Sequence, residues 1–304
     1  MWNAREVSVT RITVSCAIAI LSILLSVGLA AQDYVAETES WRAEREARLT
    51  ADDGWLTVAG LFFLTEGENS FGSSPVNDIV IRTGPERAGI VTLDDAQITV
   101  RAAAGTTLSV DGQDVMSARL WPFEGNDRPT ITVGPLSLFA HYSGERLAIR
   151  MRDRDSDILR QFRGLQWFPV DDRYRVRGRY VPHDEPVTIT LPNILGDVEV
   201  FQSSGSVALR VGGRALRMMA IDSGDRLWFI FRDMTSGTET YPAARFLYAD
   251  GPANGVTVVD FNRAYNPPCA FNPHTTCPLP PPDNRFDVRI EAGEKAYRGP
   301  GAHQ

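Results

Sequence analysis

From Asp78 onward, apolar and polar residues alternate in short runs broken by turn residues, the period-two pattern of half-buried strands. Asp78–Arg82, Gly89–Leu93, Gln97–Arg101 and Thr107–Val110 come first. Asp111-Gly112 follows as a hairpin turn, because glycine accepts the positive φ that such turns need. Thr130–Val133, Leu136–Tyr142 and Arg146–Met151 are next, the last two joined across Ser143-Gly144. Tyr174–Val181, Val187–Leu191, Val198–Gln202 and Val207–Val211 continue the pattern, and Gly212-Gly213 turns the chain into Ala215–Ile221. Arg226–Arg232 (RLWFIFR) is the most apolar run and is expected to be central and buried on both faces. Val256–Phe261 and Phe286–Ile290 bracket a different kind of stretch. Asp260–Phe286 has little periodicity, seven prolines and two cysteines, Cys269 and Cys277.

Ahead of the strands, Tyr34–Thr50 is rich in helix formers, with Trp41 and Leu49 as sparse apolar anchors. It predicts one amphipathic helix lying against the body through those two side chains and stopped at Asp52-Asp53-Gly54. The densest cluster of polar and turn residues, Glu124–Pro129, predicts a boundary there. The expected organisation is therefore mostly β. A short helix and a smaller β unit occupy 32–125, and a larger β unit occupies 126–304 with an ordered loop at 262–285. Both units are of sandwich or barrel type.

The first 31 residues read as a secretory signal. Arg5 and Arg11 precede Ile12–Ala31, which holds no charge and ends on small residues. An uncleaved anchor is the other reading, since the run is about as long as a membrane span. Cleavage would move the formal charge from −7 to −8, by removing Arg5, Arg11 and Glu6. An acidic chain sent to the periplasm or cell envelope is not expected to bind nucleic acid, nor a membrane once the signal is gone. Its expected partner is a polar small molecule or an envelope component.

Little in the sequence carries known chemistry. There is no Gly-x-Ser-x-Gly elbow and no His-Glu-x-x-His helix, and His141, His183, His274 and His303 have no ligand spacing. Asp153, Asp155 and Asp157 alternate as a calcium loop would, but Ile158 stands where glycine is required. No metal and no cofactor are expected. Cys269 and Cys277, in a chain addressed to an oxidising compartment, suggest a disulfide stabilising by roughly 2.5 kcal/mol in the chain-entropy model. A free structural pair and a metal site helped by His274 are the alternatives.

Two places collect polar side chains at strand ends. Asp233, Thr235, Glu239, Thr240, Tyr241 and Arg245 follow the apolar strand, where Arg245 is expected to pair with Glu239 or Asp260. Asp260, Asn262, Tyr265 and Asn266 open the proline-rich stretch, which either walls a pocket or seals the β unit. Two functions stay open. One is a ligand-binding or structural module using Asp233, Thr235, Thr240, Tyr241, Arg245, Asn262, Tyr265 and Asn266. The other is a hydrolase whose acid–base carboxylates come from Asp260, Glu239, Glu291 and Glu294.

FRDMTSGTETYPAARFL (Phe231–Leu247), DFNRAYNPPCAF, CPLPPPDNRF and EAGEKAY (Glu291–Tyr297) resemble the bacterial family catalogued as domain of unknown function 1684. GWLTVAGLFFLTEGENSFGSS, at Gly54–Ser74, also looks like that family's opening. The resemblance implies a mostly β protein and assigns no catalytic residue. A second likeness covers residues 67–115. Gly67, Asn69, Gly72 and the strands up to Asp111-Gly112 are similar to a forkhead-associated sandwich. Ser73 and Ser74 follow Gly72 and no histidine lies before Gly112, so the phosphothreonine-reading residues are missing.

Overall fold

The computed structural model of the protein describes residues 32–302; the expected signal segment 1–31 and His303 lie outside them. The chain is mostly β, in three sheets with an N-terminal helix over residues 32–50. No helix among the described residues is long and apolar enough to cross a membrane.

The first unit is a sandwich. One six-stranded sheet runs, in spatial order, Val58–Phe63, Arg146–Asp153, Leu136–Ser143, Thr130–Val133, Leu108–Val110 and Gln113–Val115. A five-stranded sheet runs Ile79–Val80, Gly67–Gly72, Gly89–Asp94, Gln97–Ala102 and Ser117–Trp121. Alternate side chains of both meet in one core, including Phe71, Val91, Ile98 and Leu120 from one side and Ile131, Leu138, Ile149 and Met151 from the other. The boundary expected at residue 125 therefore falls inside this unit. Thr130–Val133 and Arg146–Asp153 pair with strands that precede it, Leu136–Ser143 lies between those two, and Glu124–Pro129 is only a connection.

The second unit is a six-stranded, nearly closed sheet in the order Arg245–Asp250, Arg226–Phe231, Arg214–Ser223, Val198–Val211, Arg175–Pro192 and Val256–Asp260. Two of its strands are longer than the alternation suggested. Arg175–Pro192 spans 18 residues with an irregularity between Pro182 and Val187, and Val198–Val211 runs unbroken through Ser203-Ser204-Gly205. Ser203 and Gly205 are ladder positions, opposite Val187 and Ala220, so the expected strands Val198–Gln202 and Val207–Val211 are one. The sheet buries both faces. Val207, Phe229, Phe231, Leu247 and Phe261 point to one core, and Ile189, Leu191, Ile230 and Phe246 point to another. Arg226–Phe231 is thus buried on both sides as expected, with period two deciding which residue serves which core.

The N-terminal helix lies across the second face. Its inward residues are Tyr34, Thr38, Arg42, Arg45 and Leu49, spaced four, four, three and four apart. Only Leu49 of the two expected anchors is buried; Trp41 is half-buried and packs edge-on to Trp167 at 5.8 Å. Polar side chains hold the helix in place. Arg42 donates to the Phe168 carbonyl, Arg45 to the Asn266 carbonyl, and Tyr34 to Asp260. Gly54 ends this segment where a Cβ would sit 2.3 Å from the Leu49 carbonyl oxygen, so the turn back to the body requires glycine.

Candidate binding site

The proline-rich stretch is ordered by buried asparagines. Asn284 accepts from the Met219 amide and donates to the Met219 and Ile230 carbonyls, which fastens the stretch to the sheet. Asn272 donates to the Trp55 carbonyl, and its side-chain oxygen takes the His274 amide. The two alternatives for this stretch divide along its length. Its first residues form a wall, while Cys269, Ala270, Phe271 and Cys277 pack into the core beneath the helix and seal it.

That wall belongs to a cavity of about 720 Å³ between the N-terminal helix and the outer face of the second sheet. The helix contributes Glu37, Trp41, Arg45 and Arg48, which lie on one face by their spacing. The sheet contributes Arg175, Arg226, Trp228, Phe246, Tyr248 and Asp250, and the loop contributes Asp260, Arg263, Tyr265 and Pro268. Trp228, Tyr248 and Tyr265 stand nearly parallel, with interplanar angles of 13° and 14° and centroids 6.0 and 6.5 Å apart. The Trp228 indole N–H is buried and has no hydrogen-bond partner among the described residues.

The charges in this cavity do not balance. Five arginines face three carboxylates, Glu37, Asp250 and Asp260. Arg263 is held by Glu37 at 2.5 Å and by Asp260 at 3.6 Å, and Arg45 lies 3.5 Å from Glu294. Arg175 and Arg226 form no ion pair among the described residues. They stack on tyrosines instead, Arg175 at 4.8 Å from the Tyr34 ring and Arg226 at 4.6 Å from the Tyr248 ring.

The sequence-derived candidates separate into three groups. Asp260, Asn262, Tyr265 and Asn266 lie at or directly behind the cavity wall. Asp260 and Tyr265 line it. Asn262 bridges the Tyr34 hydroxyl, the Asp171 backbone and Asp260, while Asn266 donates to Glu294 at 2.7 Å. Burial pushes the Tyr34 and Tyr265 phenols well above their usual range, and the Asp260 charge adds to this at Tyr34.

A second group is closed on itself. Asp233 and Arg245 form an ion pair at 2.7 Å with both side chains at most 1% exposed. The partner is Asp233, in place of the expected Glu239 or Asp260, because Asp233 begins the connection that folds back over the strand start at Arg245. Arg245 also donates to the Ile290 and Ala292 carbonyls. Asp233 takes the Thr235 amide, Thr235 meets the Thr240 hydroxyl, and Tyr241 donates to the Cys269 carbonyl. None of these five lines the cavity.

The third group is the carboxylates, which do not converge. Glu239 and Glu291 both bind Arg289 at the surface. Glu294 is fully buried behind Arg45, and desolvation raises its pKa to about 7 against the lowering pull of Arg45 and Asn266. Of the four acid–base candidates only Asp260 reaches the cavity.

The expected disulfide is not formed. Cys269 and Cys277 are free and buried, and the Cys277 sulfur accepts a hydrogen bond from the Cys269 amide at 3.2 Å. Burial pushes the Cys277 thiol well up. The two side chains behave as small apolar packing groups in the core under the helix.

Residues 160–295 match the family described as Protein of unknown function (DUF1684). The matched residues hold Arg175, Arg226, Trp228, Tyr248, Asp260, Tyr265 and Glu294. The helix, and the resemblance read at Gly54–Ser74, lie outside them. Among solved structures the chain is similar to the solution NMR structure of the uncharacterized protein from gene locus rrnAC0354 of Haloarcula marismortui. The identity is 28%, over 44% of this chain and 77% of that one, with a TM-score of 0.38. The search of curated proteins found no match. None of these findings bears on the forkhead-associated likeness of residues 67–115. In the fold, Ser73 donates to the Gly84 carbonyl and the Ser74 backbone bonds Glu86 and Asn77, so both serine positions are occupied by the turn.

The cavity residues missed in the sequence were Arg175, Arg226, Trp228, Tyr248 and the helix face Glu37, Trp41, Arg45 and Arg48. One signal was available. A tryptophan and arginines at helical spacing, in a segment with almost no other apolar residue, describe a face that contacts something other than core.

Proposed function

We propose that the protein binds a small anionic molecule whose ring can pack against an aromatic face, such as a uronic acid or an aromatic carboxylate, in the cavity between the helix and the second sheet. The single observation behind this is the pairing of two uncompensated arginines, Arg175 and Arg226, with a row of parallel aromatic rings. Guanidinium groups receive carboxylates through paired N–H donors, and a sugar or aryl ring lies flat on an aromatic face. The free indole N–H of Trp228 supplies one further donor. The acid–base reading has less support, because three of its four carboxylates are occupied elsewhere. Export to the periplasm or envelope is part of the same proposal and rests on the charge-free run Ile12–Ala31.

A thermal-shift series with galacturonate, benzoate and their neutral amides tests the site, since ligand bound to the native state raises apparent stability. The acids are expected to raise the melting temperature and the amides to leave it unchanged. The Arg175→Ala/Arg226→Ala variant should lose the response. Equal response to acids and amides, or a response surviving in that variant, rejects the site. N-terminal sequencing of the exported protein tests the address; an intact residue 1 on a protein retained in the cytoplasm rejects it.

A further inference from the structure

A second group of cations has no counterpart in the cavity just described. Arg150 and Arg152 lie two apart on the strand Arg146–Asp153, so both point to the outer face of the first sandwich. Phe139 is directly opposite Arg150, and His141 follows on the same face. Arg128 and Arg152 both stack on the Phe139 ring, at 4.8 and 5.2 Å, and Arg150 lies 5.3 Å from the Trp55 ring. His274 and Cys277 of the proline-rich loop lie near enough to Arg150 for their charges to act on one another.

These three arginines make no side-chain hydrogen bond and no ion pair among the described residues. Arg150 is only 8% exposed. The Nε atoms of Arg150 and Arg152 and the Nε2 atom of His141 are buried without partners. Asp53 acts on Arg152 only from beyond ion-pair distance, and Asp52 is engaged with the neighbouring Arg154 at 4.0 Å. Burial and the adjacent arginines lower the pKa of Arg150 to about 10, so it still carries its charge near neutral pH. Stacking on aromatic rings offsets only part of the cost of burying such a charge, and a hydrogen-bonded counter-charge is what normally supplies the rest.

We propose that this junction between the two units binds inorganic hydrogen phosphate. Three unpaired guanidinium groups gathered about the Phe139 and Trp55 rings suit a tetrahedral dianion. His141 points to phosphate in particular. Its Nδ1 lies 2.6 Å from the Tyr142 carbonyl, which makes Nδ1 the donor and leaves Nε2 as an acceptor. Hydrogen phosphate has a P–OH to give to that acceptor; sulfate and a phosphate monoester dianion do not.

Isothermal titration of the full protein near pH 7.5 with phosphate, sulfate, glycerol phosphate and chloride, at matched ionic strength, decides the matter. Saturable phosphate binding is expected, at least tenfold tighter than sulfate or glycerol phosphate. Arg150→Met should abolish it. In phosphate-free buffer that variant should melt no lower than the parent, because an unpaired buried charge is gone. Arg128→Ala, at an exposed position, gives an independent reading with an expected tenfold loss. Arg226→Ala should bind phosphate as the parent does, which keeps this site separate from the cavity. Absence of saturable binding, or unchanged binding in both Arg150→Met and Arg128→Ala, overturns the proposal. Sulfate binding as tight as phosphate removes His141 from it, and tighter binding of glycerol phosphate rejects the free ion as ligand.

Discussion

Arg45 reaches from the N-terminal helix to within 3.5 Å of Glu294, a carboxylate that is otherwise sealed from water near the far end of the chain. The same guanidinium lies 4.6 Å from the Tyr265 ring and donates to the Asn266 carbonyl. One side chain therefore ties the helix, the loop and the cavity wall together. The helix is placed by charged and polar contacts, with Leu49 as its one large apolar side chain in the core.

The raised Glu294 pKa has a stability consequence with a definite sign. A carboxyl titrating at about 7 in the folded protein and near 4.3 when unfolded binds more protons in the native state across that interval. Its contribution is favourable at low pH and is lost as pH rises from about 4.3 to 7. His141 slopes the other way, since burial lowers its pKa to about 4 and the unfolded chain binds the proton first. Urea midpoints of Glu294→Gln and parent, compared at pH 5 and pH 8, isolate the carboxyl. The variant should gain on the parent as pH rises, and a constant difference would contradict the assignment.

Asp233→Asn should be strongly destabilising. It leaves Arg245, the largest fully buried side chain, without its counter-charge, which typically costs about 3–5 kcal/mol. Denaturant unfolding measures this. A loss below about 1 kcal/mol would mean that the carbonyls of Ile290 and Ala292 suffice to hold the guanidinium.

Gly54→Ala tests the placement of the helix. The added methyl meets the Leu49 and Arg48 carbonyl oxygens at 2.3 and 2.6 Å, so the turn must open. An overpacking cost of about 1–3 kcal/mol is expected, with faster proteolytic cleavage between residues 50 and 55. Unchanged cleavage would show that the turn accommodates a side chain.

Cys269 and Cys277 should each accept an alkylating reagent only after denaturation, with no reductant needed. Peptide mapping of protein alkylated natively and in urea gives the answer. A requirement for reductant would mean that the two sulfurs are bridged in the protein as isolated.

Most strands from Asp78 onward, the helix expected over Tyr34–Thr50 and the doubly buried RLWFIFR run were legible because period-two and period-3.6 patterns follow from backbone geometry alone. Phe286–Ile290, expected as a strand, forms none, and Val58–Phe63, Gly67–Gly72 and Arg245–Asp250 pair as strands without a clear alternation to announce them. The ordered character of Asp260–Phe286 was legible for a similar reason, since its prolines, aromatics and cysteines suit a fixed loop. What the pattern could not show was which polar residues would meet. Asp233 and Asp260 each stand near strand ends in the sequence, yet one closes on Arg245 and the other faces a cavity under a helix more than two hundred residues away. Likewise Glu124–Pro129 has the composition of a boundary, but the strands beyond it pair with Val58–Phe63 and Leu108–Val110. Local propensity sets the elements; long-range pairing and the need to compensate buried charge set their partners. Arg45, Arg150 and Arg226 look alike along the chain, and only the tertiary structure separates the one that is paired from the two that are not.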